Sequence, residues 1–216
     1  MKMTPWRYVL GIALCALCLA GRPAQAQTSD EPSIALRPFV LVTDQAFAAT
    51  DTLEAAFDRA VQPFYGGGLE TVWKGFYGDL AGSRFKKAGQ RAFRVNNQTF
   101  RLGLPLNVTI TPFELTFGYR LGMSRRIVPF GGGGAGSYRY QETSEFSDPA
   151  ENLDTRRTGY LAVGGVEFRA LRWLRVSVDA QYTHVSGILG SGGVSKAVGE
   201  NDLGGTAARL KFIVGR

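Results

Sequence analysis

Alternating apolar and polar side chains predict a β-strand over residues 173–184. The apolar set is Leu174, Val176, Val178, Ala180 and Tyr182, and the set between them is Arg175, Ser177, Asp179, Gln181 and Thr183. A repeat of two places these sets on opposite faces of a strand. A strand of about ten residues, oily on one face and polar on the other, is typical of a transmembrane β-barrel if the pattern recurs along the chain.

The pattern does recur. The eight predicted strands are Ile34–Thr43, Pro63–Trp73, Phe76–Phe85, Thr109–Leu121, Ile127–Tyr140, Thr158–Ala170, Trp173–His184 and Gly204–Gly215. The segment 109–121 is among the clearest, because Phe113 and Phe117 alternate with Glu114 and Arg120. The 28 glycines and the 12% aromatic content also favour an all-β chain.

The lengths of the connections indicate how the strands are arranged. Those at 44–61, 87–108, 141–157 and 187–203 are long, and those near 74, at 122–126 and at 171–172 are short. Short periplasmic turns and long extracellular loops alternate in this way in outer-membrane barrels, whereas a soluble β-sandwich has no reason to place its long loops at one end. We therefore expect an eight-stranded antiparallel up-and-down transmembrane β-barrel.

Two of the long connections carry local signals. Residues 51–54, Asp-Thr-Leu-Glu, are typical of a capping box, and apolar residues at helical spacing follow up to residue 60, which predicts a short amphipathic helix. Asn96 and Asn97 lie in the middle of 87–108, and asparagine tolerates positive φ. We expect a hairpin tip there, projecting beyond the membrane.

Residues 1–26 have the features of a secretory signal peptide, with a cationic start, an apolar run and a small-x-small cleavage site at 24–26. The mature barrel domain is then expected to span 27–216. Cys15 and Cys18 both lie in the signal, so the mature chain has no thiol chemistry. Removal of the signal lowers the net charge from +7 to +4, which weakens the case for nucleic-acid binding. After residue 26 no apolar run is long enough for a transmembrane helix.

Charged side chains recur at the polar positions of the strands. They are Arg37, Glu70, Asp79, Glu114, Arg120, Glu167, Arg169, Arg175, Asp179, Arg209 and Lys211. Side chains nearly fill an eight-stranded barrel, and an unpaired buried charge costs several kcal/mol. One interpretation is therefore a lumen closed by ion pairs. The alternative is a narrow polar or gated pore.

A basic stretch interleaved with phenylalanines is a candidate anion site. Its cations are Arg84, Lys86, Lys87, Arg91 and Arg94. Lipopolysaccharide phosphates are candidate ligands at the outer leaflet. The alternative is unspecific neutralisation of lipid headgroups, or pairing with the acidic loop at 141–157.

Other candidate chemistry has weaker support. The glycine run Gly131–Gly136 lacks the Lys-Ser/Thr ending of a phosphate-binding loop, and close strand packing explains it better. His184 has Ser186 and Asp202 nearby in sequence, but no nucleophile elbow accompanies them. We expect neither an enzyme nor a metal or cofactor site. The remaining aromatic residues are interpreted as membrane-interface girdles: Trp73, Trp173, Tyr119, Tyr138, Tyr140 and Tyr182.

The segment Ile127–Tyr138, Ile-Val-Pro-Phe-Gly-Gly-Gly-Gly-Ala-Gly-Ser-Tyr, resembles the Arg-Pro-Tyr-x-Gly-x-Gly strand of small outer-membrane barrels of the OmpW and OmpA-like type. Thr158–Phe168 with the following Arg-Trp resembles their next hairpin. The resemblance covers essentially all of the mature chain. The chain departs from it at Val128 and Phe130, and in its non-aromatic C-terminal residue.

The resemblance implies an outer-membrane barrel with porin-like passage of small or apolar solutes. The alternative is a closed-lumen structural or surface-interaction barrel, whose loops contact lipopolysaccharide or external partners. The expected partners are outer-membrane lipid, lipopolysaccharide and the barrel assembly machinery, with no nucleic acid. We expect a monomer.

Overall fold

The structure, a computed structural model, describes residues 34–95, 98–122, 125–144, 152–190, 195–196 and 199–215. Side chains are described at these positions except within 91–102. The predicted signal peptide at 1–26 lies outside the described residues and stays a prediction.

Eight antiparallel strands form a closed barrel. The strands are β1 (Ala35–Phe47), β2 (Val61–Trp73), β3 (Phe76–Val95), β4 (Gln98–Arg120), β5 (Ile127–Thr143), β6 (Leu153–Arg169), β7 (Leu174–His184) and β8 (Gly205–Val214), and one helix, α1 (Thr50–Phe57), follows β1. Each strand pairs with the next, and β8 pairs with β1. The predicted eight-stranded up-and-down topology is confirmed. Among the described residues, no helix is long and apolar enough to cross a membrane.

The barrel has a polar inside and an apolar outside. On β7, Arg175, Ser177 and Asp179 are buried, whereas Val178 and Tyr182 are exposed. Exposed aromatic residues lie towards both ends of the apolar outer surface. Trp73, Phe76, Tyr119 and Trp173 lie towards the short turns, and Tyr65, Tyr160 and Tyr182 lie towards the long loops. This is the distribution that a bilayer selects, with lipid in contact with the alternate apolar positions.

Tyr138 and Tyr140 do not belong to these girdles, and that prediction is wrong. Both side chains point inward and are 5% and 3% exposed. The Tyr138 hydroxyl donates to Glu114 and the Tyr140 hydroxyl to Glu142. Their register places them in phase with Phe130, because the glycines between these residues do not interrupt the alternation of β5.

Four strands continue beyond the barrel at the long-loop end. Pairing of β2 with β3 stops at Tyr65–Arg84, and pairing of β6 with β7 stops at Tyr160–His184. Pairing of β3 with β4 instead reaches Val95–Gln98, and that of β5 with β6 reaches Glu142–Leu153. Strands β3 to β6 thus form a projecting sheet, which we call the extension sheet. Most of residues 87–108, predicted as a loop, are strand. The predicted hairpin tip at Asn96 and Asn97 lies outside the described residues.

Helix α1 covers the inner face of the extension sheet. Leu53 and Phe57 of the helix pack in one apolar cluster with Phe85, Leu106 and Ile110 of the sheet. The predicted helix is confirmed, but its capping box is not. Ala49 occupies the N-cap position without a side-chain cap.

Candidate functional site

The lumen contains a first ion cluster towards the short-turn end. Glu70 on β2 forms an ion pair with Arg37 on β1, with 2.6 Å between Oε1 and Nη2, and accepts a hydrogen bond from Arg120 on β4. Glu167 on β6 accepts from Arg120 and, at 2.8 Å, from Arg175 on β7. None of these side chains is more than 6% exposed. Arg120 therefore bridges two buried carboxylates across the barrel axis.

Arg120 also lies beside two aromatic rings, which contact each other edge to face with 5.7 Å between their centres. Its guanidinium carbon is 5.2 Å from the centre of the Tyr77 ring and 5.5 Å from that of Phe130. Stacking of this kind favours a planar guanidinium over an ammonium group. Tyr77 in turn fits against Gly132, where an added Cβ would lie 2.6 Å from the tyrosine oxygen. The glycine run of β5 therefore makes room for the side chains that hold Arg120.

A second ion cluster lies nearer the long-loop end. Arg209 on β8 donates to Asp179 at 2.5 Å and to Gln181, both on β7. Gln181 donates to Glu114 at 2.9 Å, and Tyr138 donates to the same oxygen at 2.6 Å. The cluster therefore joins β4, β5, β7 and β8.

Lys211 and Asp79 form a further buried pair, with 2.5 Å between Nζ and Oδ2. With this pair the lumen holds five buried carboxylates and five buried cations from the predicted set. The eleventh predicted residue, Arg169, is half-buried at the short-turn end, opposite Arg175 in the β6–β7 register. The ten buried lumen charges therefore balance, and Glu142 in the extension sheet is a further buried carboxylate.

A small cavity separates the second ion cluster from the apolar cluster above it. Its volume is about 30 Å³, and Glu114, Tyr138 and Arg209 are among the residues that line it, together with Phe47 and Leu203. One ordered water needs about 10–15 Å³ of such volume. The cavity thus accommodates a few waters at most.

Helix α1 is held in place by a residue that sequence reasoning missed. Glu200, in the β7–β8 connection, accepts from the backbone amides of Asp51 and Thr52 at 3.2 and 2.8 Å. A carboxylate there satisfies free amide groups and complements the positive end of the helix dipole. A single loop acid carries no sequence signal for this role, because its partner lies about 150 residues away.

The predicted anion-binding cations do not share one face. Arg84 and Lys86 are exposed on the outer face of β3, whereas Lys87 points inward. Lys87 Nζ donates to Gln62 at 3.3 Å and lies 5.3 Å from the centre of the Phe57 ring. The side chains of Arg91 and Arg94 lie outside those described.

Arg84, Lys86 and Lys87 instead line a cleft between β2 and β3. The cleft has a volume of about 450 Å³ and is also lined by Arg59, Asp44 and Tyr65. Arg59 precedes β2 and was not among the predicted cations. The alternation of apolar and polar residues could not predict where the Arg59 side chain lies, because this residue is in the connection between α1 and β2.

His184 and Asp202 do meet, with 2.6 Å between Nδ1 and Oδ2. The other oxygen of Asp202 accepts from the amides of Val185 and Gly204 at 2.8 Å. Ser186 makes no hydrogen bond to His184 in the described structure. The carboxylate thus organises the loop backbone. No group of three or more His, Cys, Asp or Glu side chains among the described residues could hold a metal ion.

Solved structures with a similar fold are small outer-membrane proteins. The barrel of OprG from Pseudomonas aeruginosa has a TM-score of 0.47 and 12% identity, with 85% of this chain and 93% of that chain covered. The N-terminal barrel domain of OprF from the same organism has a TM-score of 0.45 and 10% identity, with 82% and 96% covered. Ail from Yersinia pestis has a TM-score of 0.44 and 12% identity, with 84% and 95% covered.

No curated protein sequence matches the chain. The family model described as "Outer membrane protein beta-barrel domain" matches residues 12–212, which is nearly the whole chain. The chain therefore belongs to the outer membrane protein beta-barrel domain family, and its location is the outer membrane.

Proposed function

We propose that this protein is a closed-lumen outer-membrane barrel that acts through its extracellular surface. The observation that carries the proposal is the balance of five carboxylates and five cations buried in the lumen. These charges come from seven of the eight strands, and each is engaged by a partner of opposite charge.

The energetic argument concerns what a permeating solute must displace. Removing one partner of a buried ion pair costs about 3–5 kcal/mol, because the other charge is left uncompensated in a poorly solvating site. A solute on the barrel axis would have to separate the bridges that Arg120 makes to Glu70 and Glu167. It would also have to pass the apolar cluster beneath α1. Two successive obstacles of different chemistry favour a closed barrel.

Planar-bilayer recording of the refolded protein tests this proposal. We expect no discrete conductance steps for the wild-type barrel. Steps whose amplitude changes in Glu114→Ala or Arg120→Ala would show an open lumen and would overturn it. A shift of electrophoretic mobility on heating shows that the protein is folded. This control is needed before the absence of conductance steps is interpreted.

Porin-like passage of small or apolar solutes is the second candidate function. The separation of β2 from β3 above Tyr65–Arg84 supports it, because Phe85 lines both the cleft and the inner apolar cluster. The Lys87–Gln62 hydrogen bond spans this gap. If the gap is a solute route, Lys87→Ala should raise the uptake of an apolar dye into proteoliposomes above the wild-type rate. Equal rates for both proteins and for protein-free liposomes would exclude the route.

A further inference from the structure

We propose that the cleft between β2 and β3 binds the phosphorylated headgroup of an outer-leaflet lipid. This site, called the headgroup cleft below, is lined by Arg59, Arg84, Lys86 and Lys87 around Tyr65. The proposal deepens the surface function proposed above and rests on it. It names the ligand class and assigns the site to the barrel wall, away from the predicted hairpin tip.

The headgroup cleft exists because two neighbouring strands separate. Pairing of β2 with β3 ends at Tyr65–Arg84, although β2 continues to pair with β1 up to Ala46–Val61. Pro63 lies in the part of β2 that pairs with β1 but no longer with β3, and proline cannot donate a ladder hydrogen bond. Beyond this point β3 continues into the extension sheet, whereas β2 ends near α1. The space between the two strands is the cleft.

The charges of the headgroup cleft differ from those of the lumen. Arg59, Arg84 and Lys86 are exposed and form no ion pair with any described residue. Lys87 is hydrogen-bonded to a neutral amide, and Asp44 is the one acid among the lining residues. The same chain balances its lumen charges fully. An excess of cations in a concave site is complementary to an anion, and phosphate accepts bidentate hydrogen bonds from arginine.

The height of the headgroup cleft corresponds to the outer lipid headgroups. Phe76 and Trp73 pair at the periplasmic end of the β2–β3 hairpin, and Arg84 and Tyr65 pair about eight residues further along. A strand rises about 3.3 Å per residue and tilts by roughly 40°, so this pair lies about 20 Å above the periplasmic girdle. The apolar band is about 25 Å tall. Lys86 and Arg59, which lie beyond this pair, are therefore at or above its outer edge.

The size and the lower wall of the headgroup cleft fit a lipid better than a bare ion. A volume of about 450 Å³ lies in the range of small-molecule sites, roughly 300–1,000 Å³. Tyr65 is 64% exposed. Val42 lies opposite it in the β1–β2 register, Leu69 lies nearer the periplasmic end of β2, and both are exposed on the lipid-facing surface. Acyl chains can follow this surface while the phosphate meets the cations. A phosphorylated sugar lipid satisfies both requirements.

The experiment compares two variants of equal charge. The cleft variant carries Arg59→Gln, Arg84→Gln and Lys86→Gln. The rim variant carries Arg125→Gln, Arg126→Gln and Arg172→Gln, which removes three exposed cations at the periplasmic end. Binding of bisphosphorylated lipid A is measured by native mass spectrometry of the refolded full-length barrels in neutral detergent. Dephosphorylated lipid A and inorganic phosphate are the comparison probes.

We expect the cleft variant to bind bisphosphorylated lipid A at least about tenfold more weakly than wild type, since each cation near a membrane surface contributes about fivefold. The rim variant should stay within about twofold, and dephosphorylated lipid A should bind all three proteins weakly. A charge-retaining variant with Arg59→Lys, Arg84→Lys and Lys86→Arg should recover most of the affinity. That recovery separates a charge effect from a folding defect, together with an unchanged mobility shift on heating.

Three results would overturn the proposal. One is equal loss of affinity in the cleft and rim variants, which would indicate unspecific attraction. Another is unchanged affinity in the cleft variant. The third is full competition by inorganic phosphate at concentrations similar to those of the lipid, which would make the free ion the ligand. Channel steps in a bilayer would contradict the closed lumen and leave this binding result intact.

Discussion

Replacing Glu167 by glutamine removes a carboxylate that faces three guanidinium groups. Glu167 accepts from Arg120 and Arg175, and its Oε1 lies 3.7 Å from Arg37 Nη1. Glutamine keeps the shape and one carbonyl acceptor, but it removes the negative charge and replaces the second acceptor by an NH2 donor. After it, Glu70 is the one carboxylate of the first ion cluster, set against the three arginines. The lumen then carries one uncompensated buried cation.

The expected loss in the free energy of unfolding depends on whether water fills the lumen. In a closed lumen, removal of one partner of a buried pair destabilises by about 3–5 kcal/mol, or two to nearly four orders of magnitude in the unfolding equilibrium. In a water-filled pore the same pair would contribute about 0–1 kcal/mol. Adding Arg175→Gln restores neutrality and should recover part of the loss, because neighbouring charges are not additive.

Equilibrium urea unfolding in phospholipid vesicles measures this cost. Fluorescence of Trp73 and Trp173, both on the lipid-facing surface, reports the folded fraction. Asp154→Asn removes an exposed carboxylate that pairs with Arg139 and should lower the free energy of unfolding far less than Glu167→Gln does. A loss below about 1 kcal/mol for Glu167→Gln would place the lumen charges in water and refute the reasoning for a closed barrel.

Three smaller changes test other parts of the structure. Glu200→Ala should cost about 1 kcal/mol of local stability and speed amide exchange within α1, while the melting of the barrel stays unchanged. Tyr138→Phe should lower the free energy of unfolding by about 1–3 kcal/mol, since Glu114 loses a buried donor; an unchanged urea midpoint would put this ring back in the girdle. The Arg139 side chain holds the pKa of Asp154 below its ordinary value through a hydrogen bond, so carbon-detected NMR should find a lowered pKa that rises in Arg139→Gln. Because the folded-state pKa is lowered, the contribution of this pair is present above about pH 4 and is lost as the pH falls through the folded value.

The strand count and the facing of each strand were predictable because lipid imposes a simple rule. Every strand within the bilayer must present apolar side chains outward, and the alternation of β4 and β7 follows from that requirement. The polar positions could thus be assigned to the lumen one by one. Beyond the bilayer the rule no longer applies. Residues 87–108 lacked clear alternation for this reason, although backbone pairing continues there.

Partnerships between strands were not predictable from the same pattern. Alternation shows that Glu70 and Glu167 face inward, but the bridge through Arg120 depends on barrel shear and on the space left by Gly132. The headgroup cleft depends likewise on where one strand leaves its neighbour. Such contacts join residues far apart in the chain, and no local spacing encodes them.

The lumen charges also have a role in folding that does not require transport. A β-strand that slips by one residue turns its inner side chains toward lipid. For β8 such a slip would expose Arg209 and Lys211 to the bilayer, at about 2–4 kcal/mol for each cation near the midplane. An apolar lumen would impose no such penalty, because both faces of the strand would then be compatible with lipid. Charges paired in the lumen therefore favour one register of the strands. This explanation for the charges does not require that the barrel conducts solutes.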